Sequence, residues 1–433
     1  MPDSDSKHLF CKYCLEGLQN EFEKFHEAHS SCSKEFEKFN ARYEPFVSQI
    51  QELFPDHEIK LFLEPKINLR TLRMFSHSQL LHIQDKLSKL SAESSPHDKF
   101  IIILFHRSEL AYIILNQIDY IPDFLLTIES LLYLSITLSP ACPFIDQILL
   151  KNLPNLLCLE IILTAEYSFP KIISTFNKNQ IKYLKLRQSS SNPNNFVPDG
   201  IESCRDLEIL ILDIPLDEFP TSLCYLSKLR SLHISGSKIN WKLIVPNTMV
   251  NLSKLEDLRI FSHTKPVHKT DNESKMQITN INSIELTNIT VEQKSLNLQK
   301  LHIEGFALGY DEIFPILNAK RMNELSIIHC DVDEISEEFI IFEGLKKLDF
   351  SHNRIAQIPD FIRLLGSIEY INISYNKLVD FTNLCHINRI NEIDVSYNLV
   401  ESFPSKLITK KKLQINFVGN NLLRNSSDSN DKD

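Results

Sequence analysis

The stretch from Leu345 to Phe403 consists of three aligned segments: LKKLDFSHNRIAQIPDFIRLLGS, IEYINISYNKLVDFTNLCHINR and INEIDVSYNLVESF. They begin at Leu345, Ile368 and Ile390, at steps of 23 and 22 residues. Each has an apolar residue at positions one, four and six and an asparagine at position nine. A match in three consecutive segments predicts a repeated coil that stacks on copies of itself.

The spacing gives each part of a coil a physical role. Alternating residues such as Leu348 and Phe350 predict a short strand with its apolar side chains on one face. The asparagine should point inward at the turn and satisfy backbone groups of its own and neighbouring coils. Pro359 and Pro404 oppose continued strand pairing as the chain returns. The expected asparagine ladder comprises Asn353, Asn376, Asn398 and Asn420.

This pattern resembles the leucine-rich repeat, and FSHNRIAQIPDFI resembles the intracellular Ras-associated and phosphatase-regulating repeat proteins. The resemblance implies an α/β fold: a leucine-rich-repeat solenoid, or curved horseshoe, with a parallel β-sheet on its concave face and a helical amino-terminal region before it. It also implies a scaffold that binds a protein on that face. About fourteen coils are expected, starting at Leu110, Leu131, Leu156, Ile181, Leu207, Leu229, Leu255, Ile281, Leu298, Met322, Leu345, Ile368, Ile390 and Lys412.

The expected organisation has three parts: a helical region over 1–98, the solenoid over 99–424 and a disordered polar tail over 425–433. An apolar heptad stripe predicts helix from Leu15 to Leu53, either packed within the domain or paired in a coiled coil. A second helix is predicted over Ser78–Ser94. The step from Ile281 to Leu298 is only 17 residues, so one of these starts is suspect.

The composition of the chain argues against several classes of function. The chain has 433 residues, 43% of them hydrophobic, and a formal net charge of −10, which argues against non-specific binding to nucleic acid or anionic membranes. Eight glycines form no phosphate-binding loop, and nine scattered cysteines do not resemble a disulfide framework. No signal sequence is recognised at the amino terminus, and the apolar run from Ser130 to Ile145 is too short to cross a bilayer. The expected location is the cytoplasm.

The amino-terminal region contains a candidate zinc knuckle within residues 11–32. A Cys-x-x-Cys pair can place two thiolates on one zinc ion, and later residues could complete the site. The alternative is that His29 and Cys32 belong to the heptad stripe and lie in a core. The candidate ligands are Cys11, Cys14, His26 and Cys32, with His29 as an alternative.

Positions between the apolar residues of each strand should face the concave surface. The early coils place tyrosines there, either as a binding patch or covered by the amino-terminal helices. Later coils change from basic to acidic, which could orient a charged partner or be a solvated surface. The predicted partner-binding residues are Tyr112, Tyr133, Tyr183, Lys185, His233, Arg259, Glu285, His302, Asp349, Asn372 and Asp394.

No catalytic constellation is recognised, although Glu285 and His302 could form a pair. The sequence therefore favours a non-catalytic scaffold or adaptor for a protein partner. The alternative is a zinc-binding amino-terminal module for nucleic acid or ubiquitin, fused to a repeat recognition domain.

Overall fold

A computed structural model describes most of the chain. The described residues are 46–63, 99–106, 109–120, 128–139, 153–163, 181–188, 201–214, 216, 219–236, 241–264, 268–270, 276–278, 283–287, 296–307, 320–408, 410 and 412–421. They belong to two compact units. The first contains residues 1–167 and 171–190, and the second contains residues 168–170 and 191–433.

The first unit is built around a mixed sheet. A helix, α1, covers residues 46–53. The strands are β1 (Glu58–Leu63), β2 (Phe100–His106), β3 (Glu109–Ile118), β4 (Tyr133–Leu138), β5 (Cys158–Leu163) and β6 (Tyr183–Gln188). Strand β1 is parallel to β2, β2 is antiparallel to β3, and β3 to β6 pair in parallel.

Strand β1 corrects the prediction that the whole stretch before residue 99 is helical. Pro55 follows α1, and the next residues, which include Ile59 and Phe62, favour a strand over a continued helix. Residues 46–53 are helical as the heptad stripe predicts. The rest of that predicted helix and the predicted helix over Ser78–Ser94 lie outside the described residues.

The second unit is a solenoid whose main parallel sheet has nine described strands, which confirms this part of the fold prediction. Its main sheet contains β7 (Ile209–Asp213), β8 (Ser231–Gly236), β10 (Asp257–Ser262), β14 (Lys300–Glu304), β15 (Glu324–Ile328), β16 (Lys347–Asp349), β17 (Tyr370–Asn372), β18 (Glu392–Asp394) and β19 (Gln414–Asn416). Adjacent members pair in that order and in register.

Four further strands of this unit lie outside the main sheet. Strand β9 (Lys242–Pro246) pairs in parallel with β13 (Ser283–Thr287). Strands β11 (His268–Thr270) and β12 (Met276–Ile278) form an antiparallel pair. The return segments contain a short helix α2 (Ser405–Ile408) and 3₁₀ helices at Ile201–Ser203, Thr221–Tyr225, Asn247–Asn251, Glu337–Ile341, Asp360–Leu364 and Thr382–His386.

The strand positions follow the predicted repeat starts. In twelve of the fourteen coils, a strand of the described sheets begins two residues after the start and pairs with its neighbour in sequence order. Ile281 is the exception that matters, because β13 pairs with β9 and β10 pairs directly with β14. The coil predicted at Ile281 is therefore not a turn of the main sheet. It belongs to a long connection, which explains the short step to Leu298.

The core lies under the main sheet. Leu348, Ile371 and Ile393 occupy equivalent positions in adjacent strands, and all three are fully buried. Burying each such side chain contributes about 1.5–3 kcal/mol. Because each coil shares its core with the next, stacking fixes the register of the side chains on the opposite face.

Candidate functional site: the open face of the sheet

The asparagine ladder fixes the turn that follows each strand. The amide nitrogen of Asn353 donates to the carbonyls of Ile327 at 2.7 Å and Phe350 at 2.9 Å. Its amide oxygen accepts hydrogen bonds from the backbone N–H groups of Cys330 and Val332. Asn376, Asn398 and Asn420 each bond in the same way to their own turn and to the preceding coil. The ladder holds the ends of the strands in place, so the face of the sheet is rigidly spaced.

Comparisons with known proteins identify distant relatives. No family model matches the chain. Human lumican is 22% identical over 197 residues, which are 39% of this chain and 53% of lumican. The human volume-regulated anion channel subunit LRRC8E is 28% identical over 178 residues, 38% of this chain and 21% of that protein. A solved leucine-rich-repeat protein of Leptospira interrogans, 20% identical, covers 70% of this chain and 82% of its own with a TM-score of 0.40.

The chain has the leucine-rich-repeat sequence pattern and a solenoid with a parallel sheet, and it is similar to these relatives over part of its length. The chain spans about half the length of lumican and about a fifth of the channel subunit. The function of the chain is therefore inferred from its own side chains.

The main sheet of the second unit brings six of the predicted partner-binding residues into one row. We call this the fifth-position row, after their place in the repeat. Along the strands from β8 to β19 it contains His233, Arg259, His302, Ser326, Asp349, Asn372, Asp394 and Asn416, each in register with the next. The row passes from cationic to acidic residues, as the sequence predicts. In the sequence of each strand, the residue of this row lies next to inward-facing residues that form the core.

Glu285 does not belong to this row. Its strand β13 pairs with β9 and is not a strand of the main sheet, so Glu285 has no register position beside His302 in that sheet. The nearby carboxylate of His302 is instead Glu304, whose Oε2 lies 3.5 Å from His302 Nε2. Repeat spacing alone misled the prediction, because Ser283–Thr287 has the alternation of a strand but a different partner.

The cationic end of the row is organised around Asp257. Arg259 Nη2 lies 3.0 Å from Asp257 Oδ2, and His233 Nε2 lies 3.7 Å from the same oxygen. Burial favours the neutral carboxyl, but hydrogen bonds and charge from His233 and Arg259 outweigh it and hold the pKa of Asp257 at about 2. The carboxylate thus stays ionised and fixes both neighbouring side chains on the face.

A serine, a histidine and an aspartate meet at this place, but not as a catalytic triad. Ser231 Oγ lies 3.1 Å from Nε2 of His233, the same nitrogen that faces Asp257. In a triad the serine and the carboxylate use opposite ring nitrogens, so that one accepts a proton while the other is held. Ser231 is also fully buried. This cluster is organised for structure, not for nucleophilic attack.

The acidic end of the row is a hydrogen-bonded alternation of aspartate and asparagine. Asn372 Nδ2 donates to Asp349 Oδ2 at 3.1 Å, and Asn416 Nδ2 donates to Asp394 Oδ2 at 2.9 Å. The second oxygen of each aspartate accepts the backbone N–H two residues later, at Ser351 or Ser396. Burial, then the charges of Asp349, Glu392 and Asp394, raise the pKa of neighbouring Tyr370. These hydrogen bonds hold both carboxylates in place on the face.

The predicted tyrosines of the first unit occupy a different environment. Tyr112, Tyr133 and Tyr183 are 4%, 3% and 1% exposed, so they do not form the exposed patch that was one of the two expectations. Their burial agrees with the other expectation in part, and the amino-terminal helices expected to cover them lie mostly outside the described residues. The physical reason is visible in β4, which is buried at all six positions, so both faces of the sheet are covered there.

A buried carboxylate explains how the tyrosine hydroxyls are accommodated. Tyr183 Oη donates to Glu160 Oε1 at 2.7 Å, and Ser135 Oγ donates to Glu160 Oε2 at 3.3 Å. Lys185, another predicted binding residue, lies 3.8 Å from the same Oε2. Burial and the charge of Glu160 raise the pKa of Tyr183 well above its usual value, because a phenolate here would be both desolvated and repelled. These hydrogen bonds satisfy polar groups that lie buried in the sheet.

Sequence reasoning missed a column of stacked rings beside the asparagine ladder. The ring centroids of His329 and His352 are 4.1 Å apart, those of His352 and Tyr375 are 4.2 Å apart, and those of Tyr375 and Tyr397 are 4.4 Å apart. The four residues have φ between 54° and 57°. The signal was present in the repeated letters SHN, SYN and SYN, where a ring precedes Asn353, Asn376 and Asn398.

The remaining predictions concern metals and membranes. Cys11, Cys14, His26, His29 and Cys32 lie outside the described residues, and the zinc knuckle stays a prediction that metal analysis of the reduced protein would test. Within the described ranges, histidines, cysteines and carboxylates do not gather into a group of three able to hold a metal. A search of the same ranges finds no helix with the length and hydropathy needed to span a bilayer.

Proposed function

We propose that the protein is a non-catalytic scaffold that binds a partner protein on the open face of the main sheet. The observation that carries this proposal is the fifth-position row, in which polar and charged side chains from successive coils are held in register over a common core. Rigid, outward-facing groups lose little conformational entropy on binding, which favours recognition over a broad surface.

The change of charge along the row supports a protein partner over a small ligand. Arg259 and Asp349 lie on strands separated by β14 and β15. At about 4.8 Å between neighbouring strands, their separation is roughly 14 Å. A partner that contacts both ends must therefore extend across several coils, and complementary charge would set its direction.

We also propose that the protein acts in the reducing cytoplasm. Among the described residues, four cysteines are free thiols: Cys158, Cys224, Cys330 and Cys385. A reducing compartment keeps such thiols from pairing. Fluorescence microscopy of the full chain, tagged at either end, tests the location, and exclusive recovery in a secreted fraction would contradict it.

Chemical cross-linking in the native cell, followed by mass spectrometry, tests the scaffold proposal. The protein is expressed as wild type, as a face variant with Arg259→Gln and Asp349→Asn, and as a control with Lys254→Gln and Asp360→Asn. The control positions are exposed on return segments. The expected result is a partner cross-linked to the wild type and the control and depleted with the face variant. Equal recovery with all three would refute binding through this face.

A further inference from the structure

The face of β17 to β19 carries carboxylates, and its outward positions contain no lysine or arginine. In β17, β18 and β19 the outward positions are Tyr370, Asn372, Glu392, Asp394, Gln414 and Asn416. On β16, Asp349 adds a third carboxylate, while Lys347 lies 3.7 Å from Glu324 Oε1 of the preceding strand. Negative charge on this part of the face is therefore not neutralised by the described side chains of β17 to β19.

An exposed apolar strip borders this acidic face. Tyr375, Tyr397, Leu399 and Val418 are 45%, 48%, 46% and 62% exposed. Three of them are linked: Tyr375 and Tyr397 stack, and the backbone N–H of Tyr397 donates to the carbonyl of Val418 at 2.7 Å. Leu399 follows Tyr397 by two residues. We call these four residues the apolar strip. Exposed apolar side chains that cluster in this way mark an interaction site more often than isolated ones do.

The strip and the acidic face are joined by short chain segments. Tyr397 follows Asp394 by three residues, and Tyr375 follows Asn372 by three. Ser396 lies between Asp394 and Tyr397 in the sequence. It donates hydrogen bonds from both its N–H and its hydroxyl to Asp394 Oδ1. One extended segment of a partner could therefore place a cation over the carboxylates and an apolar side chain on the strip.

Charge decides among the occupants of this surface. A second copy of the chain carries a net charge of −10, and residues 424–433 contain three aspartates against two basic residues, so neither supplies net positive charge. We propose that β16 to β19 bind an extended segment of another protein that carries arginine or lysine next to a large apolar residue. This assignment rests on the proposed scaffold function and names the partner chemistry and the coils that recognise it.

The test uses a random library of 12-residue peptides displayed on phage and selected on the immobilised full chain. Selected peptides are synthesised, and their affinities are measured by fluorescence anisotropy against four proteins. These are the wild type, a charge variant with Asp349→Asn, Glu392→Gln and Asp394→Asn, a strip variant with Leu399→Ser and Val418→Ser, and a matched control with Glu337→Gln, Glu338→Gln and Asp360→Asn. The asparagines of the charge variant should fit, because Asn372 and Asn416 already occupy the same row.

The expected peptides are basic and contain a large apolar residue. Removing the three carboxylates should weaken their binding by roughly tenfold, since each exposed pair contributes a fraction of the total. The strip variant should also weaken binding several-fold, whereas the control, which removes three exposed carboxylates from the return segments, should stay within twofold. Binding should weaken when sodium chloride rises from about 0.1 M to 0.5 M, because the screening length falls.

Three results would overturn the proposal. One is selection of neutral or acidic peptides, another is equal affinity for the charge variant, and the third is failure to select any peptide. Peptides that instead lose affinity for an Arg259→Gln variant would refute this assignment but leave the scaffold function standing. If cross-linking also shows no dependence on the face, both proposals fail.

Discussion

The side-chain amide of Asn376 donates a hydrogen bond of 2.9 Å to the backbone carbonyl of Phe350, 26 residues earlier. The oxygen of the same side chain accepts the N–H of Ile355, also from the preceding coil. One buried side chain thus joins two coils at two points. The coils are held together at their turns as well as through their shared core.

Replacing Asn376 by alanine should lower the free energy of unfolding by about 2–4 kcal/mol, because it leaves a buried N–H and buried carbonyls without partners. Urea denaturation followed by circular dichroism measures the change. Asn420→Ala provides a matched comparison, since Asn420 makes the same kind of bonds but is half-exposed. Its cost should be about half as large. An equal loss of stability in the two variants would show that burial does not determine how much each asparagine of the ladder contributes.

The column of rings ends at Gly419, and this position should not tolerate a side chain. Gly419 has φ +77°, and a Cβ there would lie 2.6 Å from a ring carbon of Tyr397. Gly419→Ala should therefore destabilise the protein by about 1–2 kcal/mol. Gly366→Ala is the control, because a Cβ at Gly366 meets nothing within 4 Å. A stability loss shared by both variants would exclude the ring contact as the cause.

Asp257 should make stability depend on pH in a defined window. Its folded pKa of about 2 lies below the unfolded value of about 4, so the folded state favours the ionised form. The resulting stability is fully present above pH 4 and is lost as the pH falls toward 2. At pH 7 the contribution is roughly 2 kcal/mol.

Asp257→Asn should therefore lower the free energy of unfolding at pH 7, and its difference from wild type should shrink at pH 3. Urea titrations at both pH values measure this, with the exposed Asp333→Asn as control. The control should change stability by less than about 0.5 kcal/mol. A wild-type–variant difference that is the same at both pH values would contradict the linkage.

The thiols should differ in reactivity according to burial. Cys158, Cys204, Cys224 and Cys330 are buried, whereas Cys385 is half-exposed. Burial raises the pKa of Cys330 to about 12 and also raises the pKa of Cys158, so little reactive thiolate forms at neutral pH. Among these five thiols, iodoacetamide should label Cys385 first in the native protein. Mass spectrometry reads the sites, and labelling in urea provides the control in which all five react.

The sequence predicted the regular parts of the fold because a repeated core imposes a repeated spacing. Leu345, Ile368 and Ile390 each precede a strand by two residues, and the same offset holds in most earlier coils. It also holds at Ile281, yet β13 pairs with β9. Spacing determines where a strand forms, whereas the choice of partner depends on the length and path of the connecting chain.

The sequence predicted which residues lie on the candidate face, but it did not predict how deeply each of them is buried. The order of charges from Arg259 to Asp394 follows directly from the repeat register. The burial of Tyr133 and Tyr183 does not, because alternation assigns a residue to a face without showing what covers that face. The ring column was missed because His352, Tyr375 and Tyr397 were assigned to a position free of any residue preference.

Trp241 is the only tryptophan in the chain, and it is fully buried beside Phe306, with ring centroids 5.1 Å apart. Its indole N–H donates to the carbonyl of Leu216. Tryptophan fluorescence, excited selectively, will therefore report melting of the central coils alone. In a stack where each coil contacts mainly its neighbours, the last coils could fray without dimming or shifting that emission. Melting can be followed both by fluorescence and by circular dichroism of the whole chain. If the two curves do not superimpose, the coils unfold in separate steps.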